Sequence, residues 1–263
     1  MRISIVNFTR TQSDVDVGRV VRAINRQIRD DFEPCWSVGA SLRLEGAEGP
    51  AELQKPQDLR GDGVIYLWDG AGDVRGALGY HAENNFGLPF GFVFTEVSQQ
   101  LGEHWSVTLS HEALELIGDA NVNRLAAGPH PADPGKVVFH WYEMCDAVQS
   151  ESYEIDGVRV SNFVLPLYFT IGEQLGARND FLTLRHGGRA LRSFGVNPGG
   201  YVGFVNPETG RDETFTMHGD QLALERLSVK SRIDPRLRRA NRYAHLKRRV
   251  SSRTADGWLQ QDC

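Results

Sequence analysis

Four ionisable side chains fall within one short stretch, SHEALELIGD at residues 110–119: His111, Glu112, Glu115 and Asp119. If the stretch is helical, positions four apart drift by only about 40° per step, so His111, Glu115 and Asp119 line up with Glu112 at their side. Two donors four apart on a helix can hold one divalent ion, and a Glu beside the first of them can take the proton from a water bound to that ion. The pattern names His111 and Glu115 as metal ligands and Glu112 as the general base. A competing reading makes the same helix a surface element. In it Trp105, Leu109, Ala113, Leu116 and Ile117, extended by Val107 and Leu114, form the buried side while the acids face water.

Charge context favours the metal. Between Arg75 and Arg124 the chain has no Lys or Arg, yet it holds Glu83, Glu96, Glu103, Glu112, Glu115 and Asp119, with His81, His104 and His111 among them. The run between Lys136 and Arg159 is alike, with Glu143, Asp146, Glu151, Glu154 and Asp156 and no cation. Solvated faces mix signs, and crowded carboxylates raise one another's pKa unless a cation shares them.

Catalytic zinc takes three protein ligands and a water. The third ligand is expected from Glu143 or Asp146, in the strand-like segment VVFHWYEMCD (137–146). Asp119 is the rival, and Cys145, a soft donor in an apolar setting, ranks last. The expected cofactor is a divalent metal, zinc first, although so oxygen-rich a set also suits Mn or Ca. His81 ends GALGYH (76–81). It is either a loop residue or, if that strand borders the cleft, a catalytic group that binds substrate or steadies an oxyanion. His104 reads as a cap, and His186 is a residue that only the fold could bring in.

These side chains need elements to carry them. RISIVNF alternates as a strand does, and Val15, Val20, Val21, Ile24 and Ile28 then follow helical spacing. Residues 45–63 read as a surface loop, and GVIYLWD (63–69) as a short buried strand. GALGYH and FGFVFTEV (90–97) read as strands about a Gly- and Asn-rich turn, ahead of the HE helix. A Pro/Gly loop is expected over 126–135, a hairpin in YEIDGVRVSNFV with Asp156-Gly157 at its turn, and another turn at Asn197–Gly200.

At 263 residues, 40% of them hydrophobic, the chain can form a real core. No run of 18 apolar residues suggests a membrane span, and the start lacks the apolar centre of a secretion signal. Three widely spaced cysteines, Cys35, Cys145 and Cys263, form no disulfide framework. A cytoplasmic, reducing setting is the expectation. The net charge of −5 is uneven, because 222–253 holds eleven Lys/Arg against Glu225 and Asp234. That tail reads as helical, and its partner is either the acidic body of the same chain or an external anionic surface.

A helix opening with His-Glu, preceded by a sheet with an edge strand, resembles the zincin metallopeptidases. In that family the motif is HExxH, whereas this chain has HExxE with Glu115 in the second His position. The resemblance implies a zincin-like mixed sheet with an active-site helix, His111 as ligand and Glu112 as base. It also implies a hydrolase of peptide or amide bonds, with the peptide substrate lying along the edge strand by β-addition. The longer set SHEALELIGD, YEMCD and YEIDGVRVSNFVLPLYF, within 76–205, is similar to uncharacterised bacterial and phage-associated proteins. The expected fold class is α/β, of the α+β kind, with a domain at 1–221 and a basic helical tail at 222–263. The alternative function is a noncatalytic, metal-stabilised module whose tail docks an anionic partner.

Overall fold

The computed structural model describes residues 1–45, 61–70, 79–83, 88–172 and 176–224. The expected basic tail lies outside the described residues beyond 224, as do most of the expected 45–63 loop and residues 76–78 of the GALGYH strand.

The strand-then-helix start is present as β1 (Arg2–Asn7) and α1 (Asp14–Gln27). Ser13 caps α1 by accepting from the Asp16 N–H, and Asp14 and Asp16 sit at the positive end of the helix. The chain continues through a π-helical turn at Ile28–Phe32 and α2 (Glu33–Trp36). With β2 (Ser41–Leu44), β3 (Gly63–Trp68), β4 (Gly79–Glu83) and β5 (Pro89–Phe94) it forms a five-stranded sheet in the order β2-β1-β3-β5-β4. Neighbours run parallel except β4, which lies antiparallel to β5 at one edge. The segment 90–97, expected as one strand, leaves the sheet at Phe94 and enters α3 (Thr95–Gln100). There the Glu96 N–H donates to Asp69 O at 2.8 Å.

Ile3, Ile5, Ile65, Leu67 and Val93 pack against Val17, Val21 and Ile24 of α1 and against Leu109 and Ala113 of α4 (Trp105–Gly118). His81 pairs with Gly91 and Gly91 with Ile65, so the register places His81 on this same helix-covered face.

The second half of the chain covers the rest of α4. β6 (Leu125–His130) and β7 (Asp133–Trp141) form a hairpin, joined later to β12 and β13. Between them come β8 (Ser152–Ile155), β9 (Val158–Ser161) and the short pair β10 (Arg185–His186) and β11 (Arg189–Ala190). β12 (Val202–Asn206) and β13 (Arg211–Phe215) complete an antiparallel sheet in the order β13-β12-β7-β6. The Pro/Gly loop expected over 126–135 is therefore mostly strand. Its prolines are tolerated because β6 is an edge strand and Pro134 adjoins the hairpin turn. The expected hairpin turn is present, with Asp156 and Gly157 both at positive φ, 51° and 73°. The architecture is mixed α+β, with one largely parallel and one antiparallel sheet, and no helix among the described residues is long and apolar enough to cross a membrane.

All 14 residues of α4 are buried, which overturns the picture of a surface helix with solvated acids. β4 and β5 cover one side, and β9 with the chain around Met144 and Phe163 covers another. A closed polar triangle fixes the helix. Ser110 Oγ donates to Gln27 Oε1 at 2.6 Å, Gln27 Nε2 donates to Ser161 O at 2.8 Å, and Ser161 N donates to Ser110 Oγ at 3.1 Å.

The strand expected to run to Asp146 ends at Trp141. Beyond it the backbone bonds to other parts of the core, with the Cys145 N–H on Glu115 Oε1 at 3.2 Å and the Val164 N–H on Met144 O at 2.7 Å. Gly118 permits this close docking, because a Cβ there would run into Met144 Sδ and Cε. Gly118→Ala is expected to destabilise the fold by about 1–3 kcal/mol through overpacking. Urea unfolding measures this, and an unchanged midpoint would show that the loop is not held by that contact.

Candidate metal centre

Three elements, α4 and two that pack against it, each bring polar groups to one place. α4 itself supplies His111, Glu112 and Glu115. β4 supplies His81, and the turn after β7 supplies Glu143, Cys145 and Asp146. All six residues singled out from the sequence as ligands or catalytic groups lie in this cluster, each between 1% and 8% exposed.

The imidazoles stand among the carboxylates. His111 Nε2 is 3.2 Å from Glu115 Oε2 and 3.3 Å from Asp146 Oδ1. His81 Nδ1 is 3.2 Å from Glu112 Oε2 and 3.6 Å from Glu115 Oε2, while its Nε2 is 3.7 Å from Glu143 Oε2. Yet His81 Nε2 and His111 Nε2, both buried, make no hydrogen bond. They are close to charge without being aligned with it. Donors held about 2.0–2.1 Å from a tetrahedral ion stand roughly 3.3 Å apart, which is the spacing around His111.

Two compact triads result, His111–Glu115–Cys145 and His81–Glu115–Glu143, with the donor atoms of each within 4.8 Å of one another. These buried groups could hold a metal ion. Asp146 meets the His111 ring without joining either triad. Cys145, ranked last from sequence, does join one. Burial first, and then the negative charge of Glu115, push its thiol well above the ordinary range.

Electrostatics point the same way. Burial alone would lower His111, but Glu115, Asp146 and Glu112 outweigh it and raise the imidazole to about 10. Burial, reinforced by Glu143, pushes Glu115 up to about 7, with His111 opposing. His81 is raised too, because Glu143, Glu112 and Glu115 overcome its desolvation. Without a cation the cluster holds itself together by keeping protons, and a divalent ion does the same by replacing them.

The other candidates fall elsewhere. Asp119 closes the end of α4, accepting from the Asn123 N–H at 3.2 Å and the Arg124 N–H at 2.9 Å. His104 is the α4 N-cap. His186 Nε2 is hydrogen-bonded to Glu151 Oε1 at 2.8 Å, in a separate polar node with Asn162 and Asn197. One residue passed over by the sequence reading is His140, which lines a cleft with Glu143, Asp146 and Tyr168. Its place three residues before Glu143 was the available signal, but without a structure its face of the strand was undetermined.

No family model, no curated protein and no solved structure matches this chain. The case for the centre rests on its geometry. Removing metal by chelation is expected to lower the melting temperature, and adding Zn or Mn back to restore it. The gain follows the logarithm of free metal over Kd, about 2.7 kcal/mol at a hundredfold excess. Glu115→Gln should shrink that gain. Identical melting with and without metal would remove the centre.

Proposed function

We propose that this protein is a metal-dependent hydrolase of peptide or amide bonds, a divergent zincin type built on HExxE. The observation that carries the reading is Glu112 lying beside the His111–Glu115 pair, its carboxylate 3.2 Å from His81 Nδ1. A bound divalent ion, zinc in first place, supplies Lewis acidity and lowers the pKa of water. Glu112 accepts the proton of the attacking water and returns it to the leaving nitrogen. His81 Nδ1 holds that carboxylate in place beside the His111–Glu115 pair. Its Nδ1 is on Glu112 and its Nε2 faces Glu143 Oε2 at 3.7 Å.

Two further features support the reading. β4 is the edge strand that precedes the His-Glu helix, the arrangement on which the zincin resemblance rests, and among the described residues no strand pairs with its outer side. An extended peptide can add there, beside the strand that bears His81. Glu143 and Asp146 also border a narrow cleft of about 10 Å³, room for a single water, shared with His140, Trp141, Tyr168 and Gly203.

A second reading follows from the depth of the site. Glu112, Glu115 and His111 are 1–4% exposed, as befits a noncatalytic module in which the metal only staples the fold. The basic residues beyond 224 would then serve an anionic partner.

Glu112→Gln separates the two. Against a quenched-fluorescent peptide library it should lower kcat by about 10²–10⁴-fold while leaving the metal content unchanged. His111→Ala should lower both. Hydrolysis that survives Glu112→Gln intact would refute the catalytic reading and leave the staple.

A further inference from the structure

We propose that the centre holds two divalent cations, with Glu115 as the bridge between them. The inference rests on the metal reading above and deepens it. Glu115 is the one residue common to the His111–Glu115–Cys145 and His81–Glu115–Glu143 triads. Its oxygens have different surroundings. Oε1 accepts the Cys145 N–H at 3.2 Å, whereas Oε2 stands 3.2 Å from His111 Nε2 and 3.6 Å from His81 Nδ1. Two imidazoles, one on α4 and one on β4, converge on a single carboxylate oxygen.

One ion cannot use all these donors. The two nitrogens of His81 open on different partners, Nδ1 on Glu112 at 3.2 Å and Nε2 on Glu143 Oε2 at 3.7 Å. When Nδ1–H donates to Glu112, Nε2 keeps its lone pair, and this is how a carboxylate orients a ligating histidine. Both His81 Nε2 and His111 Nε2 belong to side chains 4–5% exposed and make no hydrogen bond, and they face different carboxylates, Glu143 for His81 and Glu115 with Asp146 for His111. The first ion would take His111 and Glu115, with Asp146 alongside. The second would take His81, Glu143 and Glu115.

Charge gives the same count. Glu112, Glu115, Glu143 and Asp146 are all buried. Fully ionised, they carry twice the charge that one divalent cation brings, and buried charge is tolerated only when paired. Two ions about 3.5–4 Å apart form a known hydrolytic arrangement, in which attacking and leaving oxygens are both stabilised. The oxygen-rich His81 side suits a harder ion such as Mn.

Metal-depleted full-length protein, loaded with Mn(II) and freed of excess metal, should retain about two ions per chain by elemental analysis. Its electron paramagnetic resonance spectrum should be that of a spin-coupled pair. His81→Ala and Glu143→Gln should each reduce the content to about one and replace the coupled spectrum with that of isolated Mn, with circular dichroism verifying the fold of each. One ion per chain in the unaltered protein overturns the pair and leaves the single-ion reading standing. No bound ion overturns both, and a coupled pair that persists in the two variants overturns the assignment of His81 and Glu143.

Discussion

The Glu115 carboxylate, buried in the core with two imidazoles and three further carboxylates around it, is the constraint on which the rest of the structure depends. Taking an isolated carboxylate out of water carries a penalty of several kcal/mol after relaxation. The fold accepts that penalty at four adjacent side chains. Apolar residues would pack the same space without it. Charge kept at this depth fits a cluster that could hold a metal ion, since nothing in the packing of Leu109, Ala113 and Leu116 requires it.

The surrounding architecture serves that placement. α4 is enclosed because its polar stripe and its apolar side both find partners, the five-stranded sheet on one flank and β9 with the Met144 turn on another. The Ser110–Gln27–Ser161 triangle ties α1, α4 and β9 together one residue before the first proposed ligand. Gly118 lets Met144 lie against the last turn of the helix, which brings Glu143 and Cys145, its chain neighbours, to face Glu115. Small polar and small apolar residues thus set the geometry that the charged ones use.

How much of this was legible beforehand depended on the range of the signal. The His111–Glu115 spacing is local, so the helix and its polar stripe could be read directly, and the Asp156-Gly157 hairpin likewise. The convergence of the 143–146 turn on that stripe was inferred from charge crowding, a long-range argument that worked because unlike-charged residues are missing from both segments. Whether α4 was surface or core could not be read, because an acid that faces water and one that faces a buried site have the same periodicity. His81 was ambiguous for a related reason. Its inward direction follows from pairing with Gly91, and pairing is a property of two strands rather than one. The 126–135 segment reads as a loop because its prolines disfavour strands, and the edge position that admits them is set by the sheet rather than by the segment itself.

Glu115 in the position where HExxH has its second histidine changes more than one donor atom. An imidazole ligand is neutral, so exchanging it for a carboxylate adds one negative charge and a second coordinating oxygen to the same turn of helix. In the proposed centre the added charge would favour harder ions over the soft end of the metal series. The added oxygen is held here by the Cys145 N–H, which leaves Oε2 facing His111 and His81 together. An imidazole could face only one of those directions with a lone pair. The carboxylate is therefore the residue type that lets β4 and α4 address a common point, and the acids of the 143–146 turn would be the counterpart of the proposed centre.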